Sequence, residues 1–312
     1  MKIVLMIIAL FFSMVTSAAP VNKMVVFGDS LSDNGNLYEY MKQQLPLSPP
    51  YYKGRFTNGP VWVELLAKFY YPNSSKEHLA DYAYGGAGVL DEADDDDTMF
   101  TLRRELDSYF LSHQDKADPD SMFIVWIGSN NYLGVPDDAE KVVDMVISGI
   151  ENGLKRLAEK GAKNILVVNV PDLGRVPIAR EFDAIDRMSY ISKLHNDTLN
   201  HKMDELKKQY PETHWLYFDV NMVFDDMTTD PVRFGFTNIM DTCYEAATLN
   251  STSLKRHSLL KMVSKIQLQQ PNRDACKGYL FFDPVHPTAP AHLLMAERTK
   301  ILFDKEGIKF QD

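Results

Sequence analysis

The stretch Met24-Val25-Val26-Phe27-Gly28-Asp29-Ser30-Leu31-Ser32-Asp33-Asn34-Gly35-Asn36 opens as an apolar, β-branched run and turns abruptly polar at a glycine. A short apolar run bounded by a turn signal suits a strand buried on both faces. Gly28 then permits a tight strand-to-helix turn. That puts Ser30 at the C-terminal edge of a strand, where open α/β sheets place their ligand crevice. The N-terminus of a following helix favours negative charge developing near Ser30. A serine after a strand is by itself more often a helix cap than a nucleophile, so the reading of Ser30 rests on finding its partners.

Outward from this stretch, short β-rich runs at 24–27, 82–84, 122–127, 165–170 and 215–220 alternate with amphipathic patterns at 61–69, 100–112, 139–159, 183–209 and 289–303. Strands alternating with helices imply a parallel sheet. The continuous apolar character at 122–127 and 165–170 predicts strands covered on both faces, as in a three-layer α/β/α sandwich. Two segments break the rhythm and are long enough to be functional loops. One is the Pro- and Tyr-rich segment 45–60. The other is 228–278, which carries both cysteines and a helical pattern at 254–267 and reads as a rim or lid insertion, or as a structural excursion.

The partners for Ser30 stand near the other end of the chain, in Phe282-Asp283-Pro284-Val285-His286-Pro287. An acid three residues before a histidine can face it across one turn, so Asp283 accepts the Nδ1 proton and leaves Nε2 free as a base. An α/β-hydrolase elbow fits poorly: it wants a second glycine where Ser32 stands, and its acid and histidine usually lie on separate loops. No His-Glu-x-x-His occurs, and His195 and His201 are six apart on a predicted helix, off one face. The acidic run 94–97 reads as a solvated loop rather than a calcium site. The chemistry calls for no cofactor and no metal.

With 312 residues, 45% hydrophobic and 24% charged, the chain has material for one large domain over 19–312. A formal net charge of −10 without a basic cluster argues against nucleic acid as a partner. Lys2, the apolar run 3–14 and the small residues at 16–18 predict a cleavable export signal over 1–18, and hence a secreted or periplasmic protein. No later stretch is long and apolar enough to span a bilayer, so contact with a membrane is expected to be peripheral. In an oxidising compartment Cys243 and Cys276 are expected to bridge, with two buried free thiols as the alternative.

These residues resemble the GDSL, or SGNH, hydrolase family, and within it the bacterial secreted lysophospholipase and glycerophospholipid–cholesterol acyltransferase group. The resemblance runs through 27–36, Gly54-Arg55-Phe56-Thr57-Asn58-Gly59-Pro60-Val61-Trp62-Val63-Glu64, Asp81-Tyr82-Ala83-Tyr84-Gly85-Gly86-Ala87-Gly88, Trp126-Ile127-Gly128-Ser129-Asn130-Asn131-Tyr132 and the Asp283–His286 turn. It implies the SGNH fold, a flavodoxin-like sandwich, with Ser30 as nucleophile and an oxyanion hole made by the backbone N–H groups of Ser30 and Gly86 and the side-chain amide of Asn130. Such donors must be fixed where charge develops. The family usually has Asp where this chain has Asn131, which puts local loop support in question and not the triad.

The subgroup implies a lipid ester substrate, lysophospholipids first and diacyl phospholipids second, with acyl transfer to an alcohol such as a sterol as an extension. Tyr51, Tyr52, Phe56, Phe234 and Phe236 are expected to line an acyl groove, or else to be core. A short-chain aryl or carbohydrate esterase is the alternative. A non-catalytic secreted lipid-binding or adhesion protein is the remote one, opposed by the intact set of site residues. Lys and Arg residues between the cysteines suggest a processing protease as a further partner.

Overall fold

The computed structural model describes residues 20–90, 100–244 and 276–311. The export segment 1–18, the acidic run 94–97, the helix expected over 254–267 and the processing loop between the cysteines lie outside the described residues. Five strands form one parallel sheet: β1 (Lys23–Gly28), β2 (Leu79–Asp81), β3 (Ser121–Trp126), β4 (Asn164–Val168) and β5 (His214–Phe218), in the order β2-β1-β3-β4-β5. This is the flavodoxin-like order, whose switch point lies between β1 and β3. The two strands pair in register from Lys23↔Ser121 to Gly28↔Trp126, so their C-terminal ends emerge side by side.

The helices are α1 (Asn36–Tyr40), α2 (Trp62–Tyr70), α3 (Leu102–Ser112), α4 (Ala139–Glu159), α5 (Pro177–Glu181), α6 (Ile185–Gln209), α7 (Val220–Thr229) and α8 (Ala289–Lys305). α2 packs on α8, and α7 also touches α8; α4 packs on both α3 and α6. Right-handed crossovers put these two groups on opposite faces of the sheet, which makes the three layers. α4 shows how the sequence achieves this. Asp138 caps it by accepting the Lys141 N–H at 3.0 Å, and Val143, Val146, Ile147, Ile150, Leu154 and Leu157 are buried at helical spacing. No helix among the described residues is long and apolar enough to cross a membrane.

The predicted strand at 82–84 is corrected to Leu79–Asp81, three residues earlier. This is a half-buried edge strand of Leu, Ala and Asp, so it lacks the β-branched apolar signal. Tyr82 and Tyr84 still donate to Val26 and Gly28 carbonyls, carrying the chain alongside β1 into Gly85-Gly86. The described ends of the 228–278 insertion hold a short parallel pair, β6 (Asn238–Thr242) with β7 (Tyr279–Phe281), and a Cys243–Cys276 disulfide. Leu37, Leu45, Tyr51, Phe56, Tyr244 and Phe282 form a second small core, with both cysteines packed against it.

Candidate active site

Ser30 leaves the end of β1, and the Asp283–His286 turn leaves β7; the fold brings them together across 256 residues of chain. His286 Nδ1 lies 2.6 Å from Asp283 Oδ2, and Nε2 lies 2.8 Å from Ser30 Oγ. A carboxylate only accepts, so Nδ1 carries the proton, Nε2 is the acceptor and the Ser30 hydroxyl donates to it. All three residues are buried or nearly so: Ser30 is 4% exposed, Asp283 1% and His286 2%. The spacing of three works through a tight turn rather than a helix, because Asp283 Oδ1 accepts the N–H groups of Val285 (2.9 Å) and His286 (2.8 Å). Burial raises the Asp283 pKa, but the facing His286 and these hydrogen bonds outweigh it and hold the carboxyl below its usual range. It is therefore ionised and able to orient an imidazole and stabilise an imidazolium.

The two oxyanion candidates are brought to the same end of the sheet. Asn130 follows β3 and shares a cleft with Ser30 and His286. One of its amide hydrogens goes to Ala87 O at 2.8 Å, which leaves the second uncommitted. Gly86 is bracketed by two ties: the Gly85 N–H to Asp33 Oδ2 at 2.7 Å, and that Asn130 bond to Ala87. It is left-handed at φ 80°, a conformation that favours glycine, and it lies beside the residues that line the cleft rather than among them. The N–H groups of Ser30 and Gly86 donate to no acceptor among the described residues, as donors reserved for a ligand would. Asn131 answers the question raised by its departure from the family pattern. Its Oδ1 accepts the Val89 N–H at 2.9 Å, the acceptor role that an aspartate would fill.

The cleft running from Ser30 has an apolar wall of Leu133, Pro171, Leu173, Val176, Phe224 and Val285, supplied by the segments after β3, β4 and β5 and by the His286 turn. The five aromatics expected to line it do not. Tyr51, Phe56 and Phe236 are about 1% exposed and belong to the cores, and Phe234 packs against the main core. Tyr52 is half-buried on the same loop as Tyr51. Their place is behind the site: the Phe56 ring lies 5.2 Å from that of His286, and the Tyr51 hydroxyl reaches Asp283 Oδ2 at 2.7 Å. Sequence reasoning missed Tyr51 in that position and missed the apolar wall. A Pro-Tyr-rich loop signals order without saying which way a ring points.

Around the first motif sit three buried acids, Asp29, Asp33 and Glu105, and the half-buried Asp81. Burial pushes Asp29 and Asp33 up to about 6, against the lowering effect of their backbone hydrogen bonds. Burial also raises Asp81 and Glu105 well above the ordinary carboxylate range. Two further histidines, His195 and His292, are buried and pushed down to about 3, so both are neutral structural groups.

The GDSL-like lipase/acylhydrolase family model matches residues 24–299. The chain is 31% identical to the phosphatidylcholine-sterol acyltransferase of Aeromonas hydrophila, over 93% of this chain and 92% of that one. It is 29% identical to the secreted effector protein SseJ of Salmonella typhimurium, over 88% of this chain and 62% of that protein. Among solved structures it aligns with Est24, a carbohydrate acetylesterase from Sinorhizobium meliloti, with a TM-score of 0.47 at 12% identity, over 90% of this chain and 98% of that one. The match through the whole sandwich and both ends of the hydrogen-bonded chain establishes that this protein belongs to the GDSL-like lipase/acylhydrolase family and is an ester hydrolase.

Proposed function

We propose that the protein is an exported hydrolase of lipid esters, with lysophospholipids as its first substrates. The observation that carries the reading is a Ser30–His286–Asp283 hydrogen-bonded chain opening directly onto an apolar cleft. His286 Nε2 takes the Ser30 proton as Oγ attacks the ester carbonyl. The N–H groups of Ser30 and Gly86 and the Asn130 amide hold the oxyanion. His286 then protonates the leaving alcohol, and water, activated by the same histidine, releases the fatty acid. The apolar wall suits an acyl chain better than a sugar. The Aeromonas relative's name supports a phospholipid acyl donor and acyl transfer to a sterol, with the alcohol replacing water in the second step. Export over 1–18 is supported by the Lys2-led apolar run and by a disulfide that suits an oxidising compartment. The 228–278 insertion is read as part of the site's rim, within a single domain over 19–312.

The test compares fatty acid released from lysophosphatidylcholine, diacylphosphatidylcholine and a short-chain aryl ester by the purified protein and its Ser30→Ala variant, with and without cholesterol. Release mainly from the lysolipid, lost in the variant, is expected; cholesteryl ester formation would add the transferase role. Turnover that survives Ser30→Ala sinks the nucleophile assignment, and cleavage of the aryl ester alone moves the substrate away from phospholipids.

A further inference from the structure

Asp283 Oδ2 takes two donors, not one. The His286 Nδ1–H reaches it at 2.6 Å and the Tyr51 hydroxyl at 2.7 Å, while Oδ1 takes two backbone N–H groups. Tyr51 comes from a different part of the chain, 232 residues earlier, on the loop between α1 and α2. That loop is fastened to the His286 turn at two further points: Thr57 Oγ1 donates to Pro287 O at 2.8 Å, and Asn58 Oδ1 accepts the Ala289 N–H at 2.7 Å. The Tyr51 backbone is itself held, its N–H to Leu47 O and its carbonyl by the Ser48 hydroxyl at 2.6 Å. The ring is wedged edge-on between Phe56 and Phe282, with centroids 6.0 and 5.0 Å away. A phenol this buried and this constrained has one acceptor to serve.

We infer that Tyr51 is a positioning residue for the ester hydrolysis: its hydroxyl fixes the Asp283 carboxylate in the rotamer that meets His286 and draws off part of the negative charge that His286 faces. The inference rests on the proposed reading of Ser30, His286 and Asp283 as the catalytic set. Burial and the Asp283 charge both push the Tyr51 phenol far above its ordinary range, so it stays a neutral donor at any working pH. The other titratable groups facing this set are Asp29 and the neutral His292, beside His286, and Tyr244, beside Tyr51. None of these changes when only the Tyr51 hydroxyl is removed.

The sign of the effect follows. Without the phenol, Oδ2 carries more of the carboxylate charge and stabilises the imidazolium more strongly. The acidic limb of the pH profile, where His286 must lose a proton to act as base, then moves to higher pH. Orientation is lost as well. Turnover at the plateau is expected to fall about tenfold, the kinetic equivalent of one charge-assisted hydrogen bond. KM stays where it was, because Tyr51 does not line the cleft.

The experiment measures kcat, KM and the pH profile of kcat/KM on an aryl ester and on lysophosphatidylcholine for the full chain, for Tyr51→Phe and for Ser30→Ala. A second measurement places difluorotyrosine at position 51, a stronger donor of nearly the same shape, which is expected to move the acidic limb to lower pH. Opposite movements of the limb in the two variants, with KM unchanged, are the expected result. A Tyr51→Phe enzyme with wild-type turnover and an unmoved limb overturns the inference, and so does a loss of turnover with the limb unmoved, since that is what packing alone would give. Should Tyr51→Phe fail to accumulate as folded protein, an unmoved limb in the fluorinated enzyme overturns it equally. Activity that survives Ser30→Ala instead defeats the catalytic reading beneath it, and the two failures are told apart by that arm.

Discussion

Gly28→Ala tests whether the glycine before Asp29-Ser30 is there for the backbone on its other side. A Cβ at this position would sit 2.5 Å from the Trp126 carbonyl oxygen of β3, where ordinary contact begins near 3.4 Å. The obstacle is backbone at the C-terminal end of a parallel ladder, paired residue for residue with β1, so no side-chain rotation relieves it. The two strands must separate by nearly an ångström at their C-terminal ends. Overpacking of this kind costs about 1–3 kcal/mol of stability. The larger effect falls on geometry, because Ser30 hangs two residues beyond β1 and Asn130 four beyond β3. A misplacement of about 1 Å at a reacting centre can cost on the order of 100-fold in rate. The expected result is a folded enzyme with a lowered denaturation midpoint, kcat reduced about 100-fold and KM nearly unchanged. Denaturant melts by circular dichroism and steady-state kinetics on an aryl ester read both quantities. Turnover within threefold of wild type in a variant that shows the stability loss would refute the argument that inter-strand contact sets the serine.

Two further outcomes concern stability. The Cys243–Cys276 bridge closes a loop with a sequence separation of 33, so replacing both cysteines by serine should lower the unfolding free energy by about 3–4 kcal/mol in the chain-entropy account, read as a shift in the urea midpoint. A midpoint unchanged under non-reducing conditions would count against the bridge as a staple of the second core. Asp29 titrates at about 6 in the folded protein against 3.8 as a free side chain, so the native state holds a proton that the unfolded chain releases. Stability at this group is therefore full below about pH 4 and falls by roughly 3 kcal/mol as pH rises to 6 and beyond. Asp29→Asn keeps the acceptor for the Leu31 N–H and abolishes the titration. Its unfolding free energy should fall less steeply than the wild type's between pH 4 and 7, and parallel curves would contradict the burial argument.

How much of this was legible in the sequence depends on whether the signal was local. β3 and β4 are buried on both faces and could be read directly from Met122–Val125 and Ile165–Val168. α4 has the same bounds as its amphipathic pattern because its cap and apolar stripe both lie within it. Edge strand β2 escaped because a half-buried Leu-Ala-Asp carries no strand signal. The acid–histidine turn was legible because its geometry depends on four consecutive residues. Tyr51 was not, because its partner is 232 residues away and its direction is set by Phe56 and Phe282. The apolar wall was hidden for the same reason: Leu133, Leu173 and Phe224 come from segments after three different strands and meet only in the fold.

The first motif divides physically into two halves with different work. Gly28-Asp29-Ser30 carries the hydroxyl to the cleft. The remainder is a clamp on the Gly85–Gly86 segment. Asp33 accepts N–H groups from Gly35, Asn36, Leu37 and Gly85, and Asn36 Nδ2 donates to the carbonyls of Asp81 and Ala83 at 2.8 and 2.9 Å. Three of these bonds, that of Gly85 with Asp33 and those of Asn36 with Asp81 and Ala83, join residues 45 to 52 apart in sequence and tie the Gly85–Gly86 turn to the first motif. Burying Asp33 near Asp29, Asp81 and Glu105 is unfavourable for an ionised group, and its four backbone donors reduce that cost without cancelling it. The arrangement is the reverse of an economical core, and it suits the proposed oxyanion hole, whose donors must be rigid at the moment charge appears. Asn131 and Tyr51 extend the same logic from the other two sides. One holds the Gly88–Val89 segment and the other holds Asp283, so the proposed catalytic groups are backed by neighbours that do not line the cleft.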